Sequence, residues 1–193
     1  MFPRGPALPT FMRSLFAPAI RRGRAFARDE RGVTAIEFGI LALPFFTLIF
    51  AIIETAMMFF AQQILDSATE DASRMIKTGQ AQGSGYTITD FKNYICGYTF
   101  GLFNCNNILV QVNVITSFAN VSTSPAVETC TATTCTWSVT DAYTPGVGRS
   151  VVQVTASYRW PLMVVLPYFN LKNQPDNYRL MSSIRVFRNE PFS

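Results

Sequence analysis

The feature that most constrains this chain is a long uncharged apolar run. Phe38 to Ile53 holds sixteen residues without a charge, and extending the run back to Val33 gives 21 residues interrupted only by Glu37. At about 1.5 Å per residue these positions reach roughly 30 Å as a helix, the thickness of the hydrocarbon core of a bilayer. The run is apolar on all sides, whereas a helix of a soluble domain keeps a polar stripe. We therefore predict a single membrane span over residues 33–54.

The basic charge lies in the residues before this span. Residues 1–32 carry seven arginines and two acidic side chains, a balance of +5, whereas the whole chain stands at +4. The rest of the chain is thus close to neutral and offers no basic surface for nucleic acid. By the positive-inside rule, residues 1–32 stay in the cytoplasm and the chain from residue 60 onward lies across the membrane. The residues after the span lack the small pair that ordinary signal-peptide cleavage requires.

The composition argues against an enzyme. The sequence has no histidine, which removes Ser-His-Asp and Cys-His catalysis and every His-ligated zinc or haem site. It also has no clustered metal ligands and no glycine-rich phosphate loop after a strand. We expect no catalytic, cofactor-binding or metal site, and no cofactor.

Glu37 needs an explanation, because a carboxylate near the start of a membrane span costs about a few kcal/mol. A cut between Gly32 and Val33 would create an amino group close to Glu37, and that ammonium can neutralise Glu37 of an adjacent copy within the apolar layer. A glycine at the cut would let a protease approach the backbone closely. The alternative is an uncut anchor in which Glu37 reaches the cytoplasmic interface, helped by Arg31.

The helical pattern continues past the span. Apolar residues recur at three- and four-residue steps as far as Ile76, and Gly79 with the cluster at residues 83–85 supplies the stop. This stripe packs either against the downstream domain or against neighbouring helices. The recurring residues are Ala61, Ile64, Leu65, Ala68, Ala72, Met75 and Ile76.

Residues 82–193 read as a small α+β domain. Thr89-Asp90 before Phe91–Cys96 indicates a capped short helix. Alternating apolar and polar positions predict an antiparallel sheet, in which Val110, Val112 and Val114 share one face. The chain then divides into a leader at 1–32, a long helix at 33–81 and the domain at 82–193, a pilin-like arrangement. The predicted strands are Ile108–Ile115, Thr136–Thr140, Val151–Trp160 and Tyr178–Phe187.

Four cysteines lie beyond the span, on the side where disulfides persist. They allow three pairings. We favour Cys96–Cys105 and Cys130–Cys135, because each closes a short local loop and contributes roughly 2.5 kcal/mol in the chain-entropy account. Thiol–disulfide exchange is disfavoured, since neither spacing is Cys-x-x-Cys.

Two further segments have open interpretations. The apolar stretch Pro161 to Phe169 is either a buried connection over the sheet or an exposed patch that meets the membrane surface or a partner. The terminal VFRNEPF, Val186 to Phe192, is either a recognition tail or the end of the last strand.

Three stretches carry a family resemblance. Gly32 followed five positions later by Glu37, after a basic leader and before an apolar helix, resembles a type IV prepilin peptidase site, and Glu37-Phe38 is similar to the glutamate-aromatic pair of Flp pilins. RGVTAIEFGILALPFF, ASRMIKTGQAQ and VFRNEPF together resemble the TadE-like proteins of the tight-adherence (Flp, type IVc) pilus system.

The resemblance implies a minor pseudopilin that a prepilin peptidase cuts between Gly32 and Val33. It implies a protein held by inner-membrane lipid, with its C-terminal domain in the periplasm or in the pilus. Its expected partners are other Flp pilins and pseudopilins and the assembly platform, and its expected role is in pilus assembly, adhesion and biofilm formation. The alternative is an uncleaved single-pass anchor that presents a periplasmic binding or scaffold domain.

Overall fold

The computed structural model describes residues 32–124, 126, 128–130, 135–163, 171–174 and 177–192, and of residues 128–130 and 135–137 the backbone alone. The basic leader at 1–31 therefore lies outside the described residues. The helices are α1 (Val33–Lys77), α2 (Gln80–Gly83) and α3 (Ile88–Gly97). The strands are β1 (Leu109–Ile115), β2 (Glu128–Cys130), β3 (Cys135–Trp137), β4 (Ala142–Tyr143), β5 (Val151–Pro161) and β6 (Tyr178–Arg188).

The predicted long helix is confirmed as α1, a single helix of 45 residues, although it ends at Lys77 rather than at residue 81 and the short α2 follows it. It ends where the sequence supplies its stop, since Gly79 adopts a left-handed backbone with φ of 78°. The chain divides into two units, residues 1–49 and 50–193. The described part of the first unit is mainly the apolar beginning of α1, and the second contains the rest of α1 and the α+β domain.

The main sheet has four strands in the order β4-β1-β5-β6. β1 and β6 both pair antiparallel with β5, as predicted; Val112 lies opposite Val154, and Val154 lies opposite Arg185. The edge strand β4 pairs parallel with β1, so the sheet is mixed rather than purely antiparallel. A parallel neighbour needs a long crossover, and the 26 residues between β1 and β4 supply it.

The predicted strand Thr136–Thr140 is wrong as a single element. The chain there forms β3, which pairs with β2 in a separate two-stranded hairpin, and β4 begins only at Ala142. The prediction failed because the alternation of apolar and polar residues there covers too few positions to show that two different short strands, β3 and β4, are present.

The second face of the sheet is partly covered by the segment that follows β1. The side chain of Gln153 accepts a hydrogen bond from the Ser122 amide at 3.0 Å and donates one to the Ser122 carbonyl at 2.6 Å. Gln153 is 8% exposed although the strand pattern places it on the polar face. Val114, predicted to face the core with Val110 and Val112, is 48% exposed.

The C-terminal half of α1 packs on the first face of the sheet. This confirms the first of the two alternatives for its apolar stripe, because Leu65, Ala68 and Ala72 lie in one buried cluster with Val112 and Val154. Alanines on the packed face keep the helix close to the strands. The full set of buried α1 residues in that cluster is Met58, Ala61, Ile64, Leu65, Ala68, Ala72 and Ile76.

Helix α3 begins three residues earlier than predicted. Its N-cap is Thr87, whose Oγ1 accepts a hydrogen bond from the Asp90 amide, while the Asp90 carboxylate accepts one from the Thr87 amide at 2.8 Å. This reciprocal capping box fixes the first turn. Phe91 and Ile95 then point into the core with no measurable exposure.

Candidate functional site at the start of the long helix

The predicted cleavage position lies at the beginning of α1. Val33 is the first residue of the helix, and Gly32 precedes it. A Cβ added to Gly32 would meet nothing within 4 Å. The fold itself therefore does not require glycine here, and the amino group released by a cut would stand at the helix N-terminus.

Glu37 and Phe38 are exposed on the first turns of α1, Phe38 at 69%. The residues three and four positions from Glu37 along the helix are Val33, Thr34, Ile40 and Leu41, none of them basic. The basic residues of α1 lie in its last turn, at Arg74 and Lys77, so none of them is within reach of the Glu37 carboxylate.

The start of α1 also has an electrostatic reason to attract an acidic group. The first-turn amides of a helix lack intrahelical partners and carry about half a positive charge, and α1 has no acidic residue in its first turn. An ammonium at Val33 would add to this positive charge. A carboxylate supplied by a second subunit would be stabilised at this position.

A second carboxylate of α1, Glu54, was not singled out from the sequence. It is 3% exposed, and its Oε1 accepts a hydrogen bond from the Met163 amide at 3.2 Å. Both residues belong to the second unit. The contact joins the helix to the chain just beyond β5, and only its position as the lone charge between Glu37 and Asp66 could have drawn attention to it.

Polar contacts along β6 hold the packed half of α1. The Arg185 guanidinium bonds the Asp66 carbonyl at 3.2 Å and forms ion pairs with the carboxylates of Asp66 and Glu70. Gln62 donates to the Ser182 carbonyl at 3.2 Å. These contacts fix the rotation of the helix about its axis relative to the strand.

The C-terminal tail contacts the C-terminal end of α1. The Glu190 amide donates to the Lys77 carbonyl at 2.9 Å, and Asn189, 2% exposed, donates from its side chain to the Pro145 and Val147 carbonyls. The Phe192 ring lies so close to Gly79 that a Cβ there would come within 2.6 Å of it. The terminal VFRNEPF thus continues the last strand and caps the helix.

One predicted disulfide is confirmed, and the other lies partly outside the described structure. Cys96 and Cys105 are bonded, which ties the end of α3 to the turn before β1. Cys130 lies opposite Cys135 in the β2–β3 hairpin, a register that brings the two backbones together, but the side chains of both lie outside the described residues.

The α+β domain offers no reactive constellation within its described part. Lys92 and Asp141 line a surface cleft of about 330 Å³ but pair with each other at 2.8 Å, and Asp141 also accepts from the Val110 amide. Burial raises the pKa of Tyr143 to about 12, and the hydrogen bond with Tyr98 raises that of Tyr94 to about 12. Among the described residues no cluster of three or more Cys, Asp or Glu could hold a metal ion.

The comparisons with known proteins bear on this helix. Residues 32–74 match the family model of TadE-like proteins, from Gly32 through the apolar run and most of the packed half. The terminal VFRNEPF lies outside the match. No curated protein and no solved structure matches the chain. The resemblance seen in the sequence is therefore confirmed over residues 32–74, and the long helix of this chain carries a TadE-like segment.

Proposed function

We propose that the chain is a minor pseudopilin of the Tad (Flp, type IVc) pilus, cut between Gly32 and Val33 and acting in pilus assembly, and through it in adhesion and biofilm formation. The observation that carries the proposal is the TadE-like match, which begins at Gly32 and implies a part in Tad pilus assembly. The exposed apolar beginning of α1 supports membrane anchoring, because an 18-residue window within the helix has a mean hydropathy of 2.4 and none of it is buried.

The proposed mechanism has three steps. The basic leader holds the precursor with its N-terminus in the cytoplasm. A prepilin peptidase of the inner membrane then cuts after Gly32 and removes the +5 charge. Glu37 finally pairs with the freed N-terminal ammonium of a neighbouring pilin or pseudopilin, and apolar packing of the helices on the assembly platform completes docking.

The registering role of Glu37 follows from the cost of an isolated charge in lipid. An unpaired carboxylate in the apolar layer is unfavourable, and pairing with an ammonium of another subunit removes that cost only in the assembled state. This ion pair therefore favours an arrangement in which the N-terminus of one subunit lies at the same membrane depth as Glu37 of its neighbour.

Intact-mass analysis of membrane-extracted protein tests the cut. Wild-type protein is expected to begin at Val33, and Gly32→Trp to remain heavier by residues 1–32. Gly83→Trp is the matched control, since Gly83 also has open space around its Cβ position and lies far along the chain. Wild-type protein that keeps its leader would reject the pseudopilin and leave the uncut anchor with a binding domain.

Pilus counts by electron microscopy test the registration step. Glu37→Val and Glu37→Gln, which keeps the shape without the charge, are both expected to insert in the membrane and to abolish piliation. Normal piliation in either variant would show that the carboxylate has no registering role.

A further inference from the structure

The exposed apolar surface of α1 continues past Glu54, the charged residue at which the predicted membrane span ends. Between Glu37 and Asp66 the only charged residue is Glu54. Glu54 is 3% exposed and is bonded to the Met163 amide. The exposed side chains of the helix therefore stay uncharged past the predicted boundary of the span at residue 54.

The large exposed residues between Glu54 and Gln62 are all apolar. Met57 is 40% exposed, Phe59 65% and Phe60 56%, and polar side chains take over only from Gln62. A hydrocarbon core of about 30 Å takes about twenty helical residues. Counted from Val33 these end near Ile52, and counted from Phe38 they end near Met57, so Glu54 lies at the outer boundary of the hydrocarbon core.

The chain just beyond β5 is held at that same depth. The Leu162 amide donates to the Asn177 carbonyl at 3.0 Å, and the Leu162 side chain is 8% exposed. The next amide, of Met163, donates to Glu54. Two successive backbone amides leading up to the Met163 side chain are thus held by hydrogen bonds, while the side chain itself is 83% exposed.

We propose that Met163, together with Met57, Phe59 and Phe60, forms a lipid-contact surface by which the α+β domain rests in the outer leaflet of the membrane. Lipid is the occupant because the surface continues the apolar face of the membrane helix, and because burial of Glu54 removes the one charge that would oppose it. The proposal rests on the proposed function only through membrane anchoring, and cleavage and registration do not enter it.

The experiment places an environment-sensitive fluorophore on single engineered cysteines in the full chain. The chain is purified oxidised and reconstituted in vesicles of phosphatidylethanolamine and phosphatidylglycerol, with doxyl-labelled lipid as the quencher and labelled wild type as the blank. The test position is Met163→Cys. Ile52→Cys, 61% exposed on the span, reports the anchor. Val147→Cys, 73% exposed in a loop near the far end of α1, is the matched control.

We expect a blue-shifted emission and loss of fluorescence with doxyl lipid at positions 52 and 163, and neither change at 147. Quenching at position 52 alone would contradict the proposed lipid-contact surface but would still support the membrane anchor. A blue shift at 163 without quenching would assign the surface to a protein neighbour and also overturn it. Quenching at all three positions would show non-specific adsorption and likewise reject the proposal. Absence of quenching at 52 would remove the anchor, and the proposed function with it.

Discussion

The two halves of α1 have the same secondary structure and opposite relations to the rest of the protein. In residues 33–53 no side chain is buried and Leu43 is 72% exposed, whereas in residues 61–77 Leu65, Ala68 and Ala72 are at most 1% exposed. In the first half apolar residues surround the helix, and in the second they form one stripe opposite polar residues. The difference shows that apolar content alone does not determine burial. The first half exposes its apolar side chains, which suggests a membrane anchor.

The largest expected effect contrasts a leucine in each half. Leu65→Ala removes a fully buried side chain from the helix–sheet cluster and is expected to lower the free energy of unfolding by about 2–5 kcal/mol. Leu48→Ala, at a position 61% exposed, should leave the stability of the domain unchanged. Urea unfolding of the full chain in detergent, followed by near-ultraviolet circular dichroism, measures both. Equal losses of stability in the two variants would contradict the conclusion that only the second half of α1 packs on the sheet.

The next largest effect concerns Gly79, just after the C-terminus of α1. Gly79→Ala and Gly85→Ala both place a side chain at a positive φ, of 78° and 66°, which costs about 1–2 kcal/mol each. Only Gly79→Ala also collides with the Phe192 ring. We expect it to be the more destabilising in thermal unfolding.

The combination with Phe192→Ala isolates the ring contact. If the tail caps the helix as the structure indicates, the excess cost of Gly79→Ala over Gly85→Ala should disappear in the Phe192→Ala background. Persistence of the excess would place the cause elsewhere.

A smaller effect concerns the N-terminus of α3, which is capped by neighbouring residues of the chain. The C-terminus of α1 is instead capped by the distant C-terminal tail. Thr87→Ala is expected to cost about 1 kcal/mol through loss of the N-cap, and Thr89→Ala, exposed in the same first turn, should cost less. The hydrogen bonds from Thr87 lower the pKa of Asp90. Their stabilisation is therefore present above the ordinary pKa of an aspartate and is lost as the pH falls through the lowered one.

Unfolding measured from neutral to strongly acid pH checks that sign. The gap in stability between wild type and Thr87→Ala should narrow in acid, where protonated Asp90 no longer accepts both bonds. A gap that widens in acid would contradict the capping box as its cause.

The smallest expected effect is that of the ion pairs along the packed half. Arg185→Met removes the pairs with Asp66 and Glu70, whose side chains are 29% and 66% exposed. Solvent screens such pairs, so a loss of about 0.5–1 kcal/mol is expected. High salt should reduce the difference between wild type and variant. A difference that salt leaves intact would assign the loss to the hydrogen bond from the guanidinium to the Asp66 carbonyl instead.

Local patterns predicted much of the fold. The span, the three long strands and the Cys96–Cys105 bond follow from runs, alternation and short loop closure, and all are set by near neighbours. Gly32 and Glu37 are exposed at the start of α1, and their roles in cleavage and registration stay predictions. The cap was predicted at Thr89-Asp90, whereas the N-cap is Thr87 and Asp90 is the third residue of the helix. Two threonines precede Asp90, and only the backbone geometry distinguishes them.

The sequence by itself determined that one helix carries an apolar segment long enough to cross a bilayer, since length and composition suffice for that. Tertiary structure alone decided that Glu54 is buried against the Met163 amide and that Phe192 covers Gly79. These pairs are separated by more than a hundred residues in the chain. Their contact depends on how the helix packs on the sheet, which no local pattern encodes.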